Sequence, residues 1–216
     1  RLLTGGPVAA LQAEGLLGNA HGGDRPAERP LLVIEADESD GSLVRYHPWA
    51  GVVLNLGRDH KEPAEVAAMF SALRLQCGGP LVVGEDATLD FLRPGAVTFG
   101  LGARADVRAE DVALGARQVA FRVGGVRFTV PQPGRHTVLN ALAAIAVGRE
   151  LGLSLERMAA PLAGFAGVAR RFVSLGTAGG VEVIDDFAHN PDKLAAAMAT
   201  GRDRLRAHAA PGRILA

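Results

Sequence analysis

The fold class follows from residues 50–86, which read AGVVLNLGRDHKEPAEVAAMFSALRLQCGGPLVVGED. Each end of this stretch holds a continuous apolar run, as expected for strands buried on both faces of a parallel sheet. Between the runs, apolar residues at 66, 69, 70 and 73 have helical spacing, and Pro63 stands where a first helical turn would begin. With a further apolar run at 31–35, this succession predicts an α/β fold with a doubly wound, mostly parallel sheet.

Residues 97–163 add two different patterns to this sheet. Short alternating segments broken by glycine fill residues 97–130 and predict a small antiparallel meander, with a hairpin turn at Gly124-Gly125. The chain then returns to a helical pattern that ends at Gly152, a predicted C-cap. A second helix is expected to follow, with Ser154 as its N-cap.

The two ends of the chain are expected to differ in structure. Gly, Pro and charged residues at 16–30 predict a surface loop. Residues 180–216 show a strand, a polar turn, a helix and a strand start at 213–216, which predicts a new βαβ unit. We therefore predict a central domain over residues 1–172 and the start of a Rossmann-like C-terminal domain over 173–216. Because the chain begins with Arg, it is expected to be a fragment of a longer protein.

The composition of the chain limits the classes of protein to which it can belong. Its 216 residues are 48% apolar, which is enough for a core, and the formal net charge is zero. A neutral chain has no broad attraction for nucleic acid or an anionic membrane, and no apolar run is long enough to span a bilayer. The single cysteine, Cys77, excludes an internal disulfide and fits a reducing compartment. We expect a cytoplasmic protein that binds neither nucleic acid nor membrane.

Three polar clusters follow predicted strands, namely EADESD at 35–40, NLGRDH at 55–60 and DDFAHNP at 185–191. Loops at the carboxyl ends of parallel strands are where α/β sheets bind ligands, and carboxylate oxygens suit Mg²⁺. Each cluster also has a purely structural interpretation. The acids could solvate a loop, and His60 could lie at the surface or cap a helix. DDFAHNP could be a turn in which Asp caps the helix that Pro191 opens.

Two further polar features leave alternatives open. Asn140 stands on an otherwise apolar helix, where its amide either packs in a helix contact with its hydrogen bonds satisfied or contacts a ligand. Arg170 and Arg171 precede the predicted domain boundary. They suit either interdomain salt bridges or phosphate binding, because the guanidinium group is a planar fork of donors.

Five segments, in this order and spacing, resemble the Mur ligase family of peptidoglycan synthesis. They are EADESDGS (35–42), NLGRDH (55–60), PGRHTVLNALAAIAVGRELG (133–152), GVARRF (167–172) and VIDDFAHNPDKLAA (183–196). The resemblance implies a cytoplasmic, ATP-dependent amide ligase, in which ATP phosphorylates a carboxylate to an acyl phosphate that an amine then attacks. It implies Mg²⁺ as the ion that offsets charge on the phosphates. The substrates it implies are UDP-N-acetylmuramate and L-alanine, or a murein peptide.

The resemblance assigns the metal-binding residues and also reveals a departure. Glu35 matches the family's acidic magnesium ligand, and His60 matches its histidine at the second metal, which we also expect to be catalytic. The family's phosphate-binding loop, a Gly-rich turn ending in Gly-Lys-Ser/Thr, occurs nowhere in this sequence and is expected to precede residue 1. The 216 residues alone are therefore predicted to have little or no ligase activity. A non-catalytic module that binds nucleotide or a partner is the alternative.

The nucleotide-binding residues that the resemblance implies are Asn140, Arg171, Asp186 and His189. Asn140 matches the amide that contacts adenine. Arg171 matches the arginine that reaches the ATP phosphates, a catalytic role, and Asp186 and His189 match the nucleotide-side motif of the C-terminal domain. One neighbouring position departs from the family, because Thr137 stands where an asparagine is usual.

Overall fold

The computed structural model describes residues 2–3, 20–21, 31–59, 61–207 and 212–216. They form two compact units, each made from two segments of the chain. The smaller unit combines residues of Arg1–Ala36 and Phe165–Ala188, and the larger combines residues of Asp37–Gly164 and His189–Ala216. The division into domains 1–172 and 173–216 stays a prediction. Across the described ranges, no helix is long and apolar enough to cross a membrane.

The described residues alternate between short strands and helices, in agreement with the predicted α/β class. The strands are β1 (Leu2–Leu3), β2 (Ala20–His21), β3 (Val33–Ile34), β4 (Gly51–Val53), β5 (Leu81–Gly84), β6 (Val97–Gly100), β7 (Val107–Arg108), β8 (Glu110–Leu114), β9 (Val119–Val123), β10 (Val126–Val130), β11 (Val173–Ala178) and β12 (Val181–Asp185). The helices are α1 (Pro63–Gln76), α2 (Arg135–Glu150), α3 (Leu155–Ala163) and α4 (Pro191–Arg206).

A four-stranded parallel sheet, in the order β4-β5-β6-β7, forms the centre of the larger unit. Consecutive residues of β5 point to opposite faces of this sheet. Val82 belongs to the apolar core that contains the buried residues of α2, whereas Leu81 and Val83 belong to the core that contains those of α1. Both faces of the sheet are therefore covered, which confirms the predicted doubly wound arrangement.

The two helices that the sequence predicts around this sheet are present. Pro63 opens α1, where the absent amide proton costs no helical hydrogen bond. α2 ends at Glu150, and Gly152 follows with a φ of +80°, the left-handed conformation that closes many helices. Ser154 stands at the N-cap position of α3, although its side chain accepts no capping hydrogen bond.

The predicted antiparallel meander is confirmed over residues 110–130 and wrong before them. Strands β8, β9 and β10 pair in antiparallel fashion, and Gly124 and Gly125, both with positive φ, make the two-residue turn. In contrast, β6 and β7 belong to the parallel sheet. The loop after β6 is held by Asp106, which accepts hydrogen bonds from Thr98 N at 2.8 Å and Thr98 Oγ1 at 2.7 Å.

The described residues of the smaller unit form two further sheets, and each contains one strand from an expected region, β3 in the run 31–35 and β12 after residue 180. β1 pairs in parallel with β3 and in antiparallel fashion with β2. The loop predicted at 16–30 is therefore wrong at Ala20–His21, because β1 offers those residues a pairing edge; the rest of that range lies outside the described residues. β11 and β12 form an antiparallel hairpin.

The first strand of the predicted βαβ unit at 180–216 is present as β12, but its pairing and the second strand differ from the prediction. β12 pairs with β11 as a hairpin before α4 begins, and residues 213–216 form no strand in the described part of the chain. An apolar run becomes a strand only when a neighbouring strand accepts its hydrogen bonds. The helix of the unit, α4, is present as predicted.

Candidate functional site

A small cleft of about 120 Å³ lies where β4 and β5 end and α2 begins, within the larger unit. Its lining combines polar and apolar side chains: Leu54, Asn55, Gly84, Glu85, Asp86, Phe99, His136, Leu139 and Asn140. The carboxyl ends of parallel strands form such clefts because the loops there diverge. Gly84 keeps the cleft open at its base, since a Cβ at that position would overlap Leu54 O.

Asn140 reaches this cleft from the second turn of α2. The residue is exposed, and its amide makes no side-chain hydrogen bond within the part of the chain that the structure describes. The structure therefore does not support the alternative in which this amide packs in a helix contact with its hydrogen bonds satisfied. Nearby Thr137, at the position that departs from the family, is buried and donates its hydroxyl to Pro133 O at 2.7 Å. It stabilises the first turn of α2 and does not line the cleft.

Two acids beside the cleft are used by the fold. Glu85 Oε2 accepts a hydrogen bond from Gly102 N at 2.6 Å. Asp86 caps the short helical turn at 87–92 by accepting from Thr88 N at 2.8 Å and from Thr88 Oγ1 at 2.7 Å. These bonds hold the β5 end of the cleft in place.

A second polar constellation converges on Asp59, which belongs to the NLGRDH cluster after β4. Lys193 Nζ and Asn190 Nδ2 lie 2.8 Å and 2.9 Å from Asp59 Oδ2, and His189 Nε2 lies 3.5 Å from the same oxygen. Lys193 Nζ also lies 3.3 Å from His189 Nε2. Asp59 is 19% exposed, so this ion pair is partly shielded from water. The constellation joins NLGRDH to the DDFAHNP motif.

Asn190 has two functions in this constellation. Its Oδ1 accepts from Lys193 N at 2.9 Å as the N-cap of α4, and Pro191 follows at the first helical position. The helix opened by Pro191 is as predicted, but the capping residue is Asn190 and not an aspartate. Sequence reasoning assigned no role to Asp59, Asn190 or Lys193. The one available signal was that Lys193 is one of only two lysines in the chain.

Arg171 and Asp186 lie in the smaller unit, on neighbouring backbone segments. Asp186 Oδ2 accepts a hydrogen bond from Phe172 N at 2.9 Å. Arg171 Cζ lies 5.9 Å from the centre of the Phe187 ring. The structure therefore brings two of the predicted nucleotide-binding residues together, through the backbone and an aromatic ring and not through a direct ion pair.

The acidic cluster at 35–40 divides into residues with different surroundings. Glu35 is exposed and follows the end of β3. Asp37 Oδ1 accepts from Ser39 N at 2.7 Å, and Asp40 Oδ1 accepts from Ser42 N at 2.8 Å. The hydrogen bonds from Ser42 hold the pKa of the Asp40 carboxyl below its usual value. Asp37 and Asp40 therefore have roles within the loop, and the metal-binding role of Glu35 stays a prediction.

His60, the predicted partner of Glu35, lies outside the described residues. Among the residues that are described, no group of three or more His, Cys, Asp or Glu side chains could hold a metal ion by itself. The roles of Glu35, His60, Asn140, Arg171, Asp186 and His189 stay predictions.

The chain belongs to the Mur ligase family. A family model described as the Mur ligase middle domain matches residues 25–148. Among solved structures, UDP-N-acetylmuramate-alanine ligase from Thermotoga maritima is similar, with a TM-score of 0.77 and 27% identity, over 95% of this chain and 48% of that chain. A murein peptide ligase from Psychrobacter arcticus has the same fold, with a TM-score of 0.65 and 24% identity, over 94% and 48% of the two chains.

Curated relatives are similar at a higher level of identity. The UDP-N-acetylmuramate-L-alanine ligase of Oleidesulfovibrio alaskensis is 40% identical over 203 residues, which are 85% of this chain and 44% of the relative. The enzyme of the same name from Stenotrophomonas maltophilia is 42% identical over 193 residues, which are 79% and 40% of the two chains. The chain thus spans less than half the length of these relatives.

Proposed function

We propose that this chain is part of an ATP-dependent amide ligase of peptidoglycan synthesis that joins L-alanine to UDP-N-acetylmuramate. The observation that carries the proposal is the 40% identity to a ligase of that name over 85% of the chain. The structure supplies a second support, since an exposed amide, Asn140, lines a cleft at the carboxyl ends of parallel strands. That is where α/β sheets bind nucleotides.

The proposed reaction proceeds in two steps. The sugar carboxylate attacks the γ-phosphorus of ATP, which releases ADP and forms an acyl phosphate. The amine of L-alanine then attacks the acyl carbon, an amide bond forms, and the carbon-oxygen bond to phosphate breaks with loss of inorganic phosphate and a proton. Catalysis of such a transfer consists mainly of placing the reactants and stabilising charge on the phosphate oxygens.

Within this proposal, each predicted residue has one task. Asn140 would bind the adenine edge, because an amide offers both a donor and an acceptor. Arg171 would hold the transferring phosphoryl group through its forked donors. His189 would lie on the nucleotide side of α4, where Lys193 and Asp59 fix its position.

The residues also fit magnesium as the metal of this reaction. Mg²⁺ typically binds to one or two carboxylates and completes its shell with water and phosphate oxygens, so it does not need an all-protein cage. Glu35 offers such a carboxylate at an exposed strand end. When bound, Mg²⁺ would neutralise charge on the nucleotide phosphates. Glu35 and His60 are the residues that we propose to hold it.

The proposal is tested by measuring phosphate release from the full-length gene product. The assay contains ATP, Mg²⁺, UDP-N-acetylmuramate and, in turn, L-alanine, other amino acids or the murein tripeptide. We expect release that requires ATP and Mg²⁺ and is fastest with L-alanine. Fastest release with the tripeptide would instead assign the product to murein peptide recycling. No release with any acceptor would contradict the ligase proposal and leave a non-catalytic nucleotide-binding or partner-binding module.

A further inference from the structure

We propose that Asp186 and Phe187 are positioning residues that act through Arg171, by holding the backbone of residues 170–172 in one conformation. The proposal rests on the proposed function, in which Arg171 binds the phosphates of ATP. It differs from the role implied by the family resemblance, which places Asp186 on the nucleotide itself. All the residues concerned belong to the smaller unit.

The backbone on both sides of Arg171 is unusual. Arg170 has a φ of +59° and Phe172 a φ of +53°, and neither residue is glycine. A bulky side chain rarely adopts this left-handed region, because its Cβ crowds the backbone. Such residues persist only where their surroundings hold them there, and they are concentrated at functional sites. Something in this unit must therefore stabilise the turn on either side of Arg171.

Hydrogen bonds to three backbone groups stabilise this turn. Arg171 N donates to Val168 O at 3.3 Å and closes the turn. Phe172 N donates to Asp186 Oδ2 at 2.9 Å, and Phe187 N donates to Arg170 O at 2.8 Å. The last two bonds attach consecutive residues of one segment to the residues on either side of Arg171. The hydrogen bond to Asp186 is the stronger type, because its acceptor is ionised.

The Phe187 ring organises the side chains above this backbone. The guanidinium carbon of Arg170 lies 4.7 Å from the ring centre, and that of Arg171 lies 5.9 Å from it, so both are within the range of cation-π attraction. Arg170 Nε also lies 3.7 Å from Asp185 Oδ2. Arg170 is thus held by both the ring and Asp185, and Arg171 remains with its guanidinium group beside the ring.

This geometry assigns a specific task to the Asp186 carboxylate. One of its oxygens is occupied by a backbone amide of the turn that carries Arg171. Loss of that oxygen would allow Phe172 to leave its left-handed conformation. The Arg171 side chain would then no longer be held in one direction. An effect of Asp186 on nucleotide binding would then pass through Arg171.

The first test measures the turn itself and needs no enzyme activity. Hydrogen exchange of the Phe172 amide is compared in the full-length gene product and its Asp186→Ala variant. We expect exchange to accelerate roughly tenfold to a hundredfold, as for loss of a hydrogen bond to a charged acceptor. Asp186→Asn keeps an acceptor oxygen and should have a smaller effect. Asp185→Asn, the matched neighbour, should leave this amide unchanged.

The second test is a double-mutant cycle on the KM for ATP, with Arg171→Ala and Asp186→Ala. We expect each single variant to raise this KM and the double variant to be no worse than Arg171→Ala. If the double variant instead raised the KM for ATP by the product of the two single effects, Asp186 would contact the nucleotide independently. That result would overturn the proposal. Unchanged exchange at Phe172 in Asp186→Ala would overturn it as well.

The two tests separate failure of this proposal from failure of the proposed function. A gene product that does not turn over ATP would contradict the ligase function, and the exchange measurement would still decide whether Asp186 holds the turn. Normal turnover with an unchanged KM in Arg171→Ala would leave the ligase function intact and overturn the positioning role. Phe187→Leu serves as a second variant, because it removes the ring and keeps the backbone donor.

Discussion

At the scale of single residues, Asp59 makes one of the contacts that link two sequence motifs. Its carboxylate brings together the amide of Asn190 and the ammonium group of Lys193, which come from the first turn of α4. No local pattern could have predicted this contact, because the partners are more than one hundred residues apart and meet only through the placement of α4. The exposure of Asn140 was likewise left open by the sequence, which allowed either a packed amide or a ligand contact.

The Asp59-Lys193 pair should contribute more to stability than the other lysine pair of the chain. We expect Lys193→Met to lower the free energy of unfolding by about 1 kcal/mol, because Asp59 is partly buried and loses a charged partner. The matched control is Lys61→Met, which breaks the exposed pair at 2.9 Å between Lys61, just before α1, and Glu65. It should lower the free energy of unfolding by at most about 0.5 kcal/mol. Urea unfolding of both variants measures the difference, and equal losses would contradict the assignment.

Removal of the Asn140 amide should affect nucleotide binding and little else. We expect Asn140→Ala to raise the KM for ATP roughly fivefold, as for loss of about 1 kcal/mol of hydrogen bonding. The KM for UDP-N-acetylmuramate should stay unchanged and serves as the internal control. Steady-state kinetics of the full-length gene product measure both constants. An equal rise in both would indicate a general distortion of the protein.

Asp106 should make stability depend on pH. Hydrogen bonds from the backbone amide and then the hydroxyl of Thr98 lower the pKa of its carboxyl below the usual 3.8. Because the folded pKa is the lower one, this stabilisation is present above the usual value and is lost as the pH falls through the folded pKa. We expect Asp106→Asn to destabilise the protein at pH 7 and to have a smaller effect at pH 3, where part of the stabilisation is already lost. Urea unfolding at both pH values measures the free energy of unfolding that the variant loses. An equal loss at the two pH values would refute the prediction.

At the scale of secondary-structure elements, the sequence predicted what local pattern controls. Continuous apolar runs became the buried strands β4 and β5, and paired glycines became the turn between β9 and β10. The prediction from sequence was wrong where the pairing of a strand depends on residues distant in the chain. β6 lies among short alternating segments broken by glycine, a pattern typical of hairpin strands. It is nevertheless paired in parallel with β5 and buried. Only the three-dimensional neighbours of a strand decide its direction.

The close approach of β4 and β5 at the cleft makes a glycine necessary there. We expect Gly84→Ala to lower the free energy of unfolding by about 1–3 kcal/mol, because the added methyl group would overlap Leu54 O in a fully packed strand. Gly152→Asn is the control, since Gly152 has open space around it and asparagine is accepted in a left-handed helix cap. Thermal unfolding compares the two. An unaffected Gly84→Ala would show that the strands can separate.

At the scale of the whole molecule, family membership could be predicted from five ordered motifs, and the fold class from the pattern of apolar residues. The candidate site could be predicted only in parts. Residues of the motifs fall in two compact units, and the contacts found within each unit, at Asp59 and around Arg171, involve residues to which the motifs assign no role. Motif matching identifies groups that touch a ligand, whereas residues that hold those groups depend on packing between segments distant in sequence.

In the proposed reaction an acyl phosphate links ATP cleavage to amide formation, and this intermediate can be tested by following the oxygen atoms of the carboxylate. UDP-N-acetylmuramate labelled with ¹⁸O in its carboxylate is incubated with ATP, Mg²⁺, L-alanine and the full-length gene product. One carboxylate oxygen leaves with the phosphate when the amine attacks the acyl carbon. We therefore predict one ¹⁸O atom in each inorganic phosphate, measured by mass spectrometry. Phosphate released without the label would contradict this account.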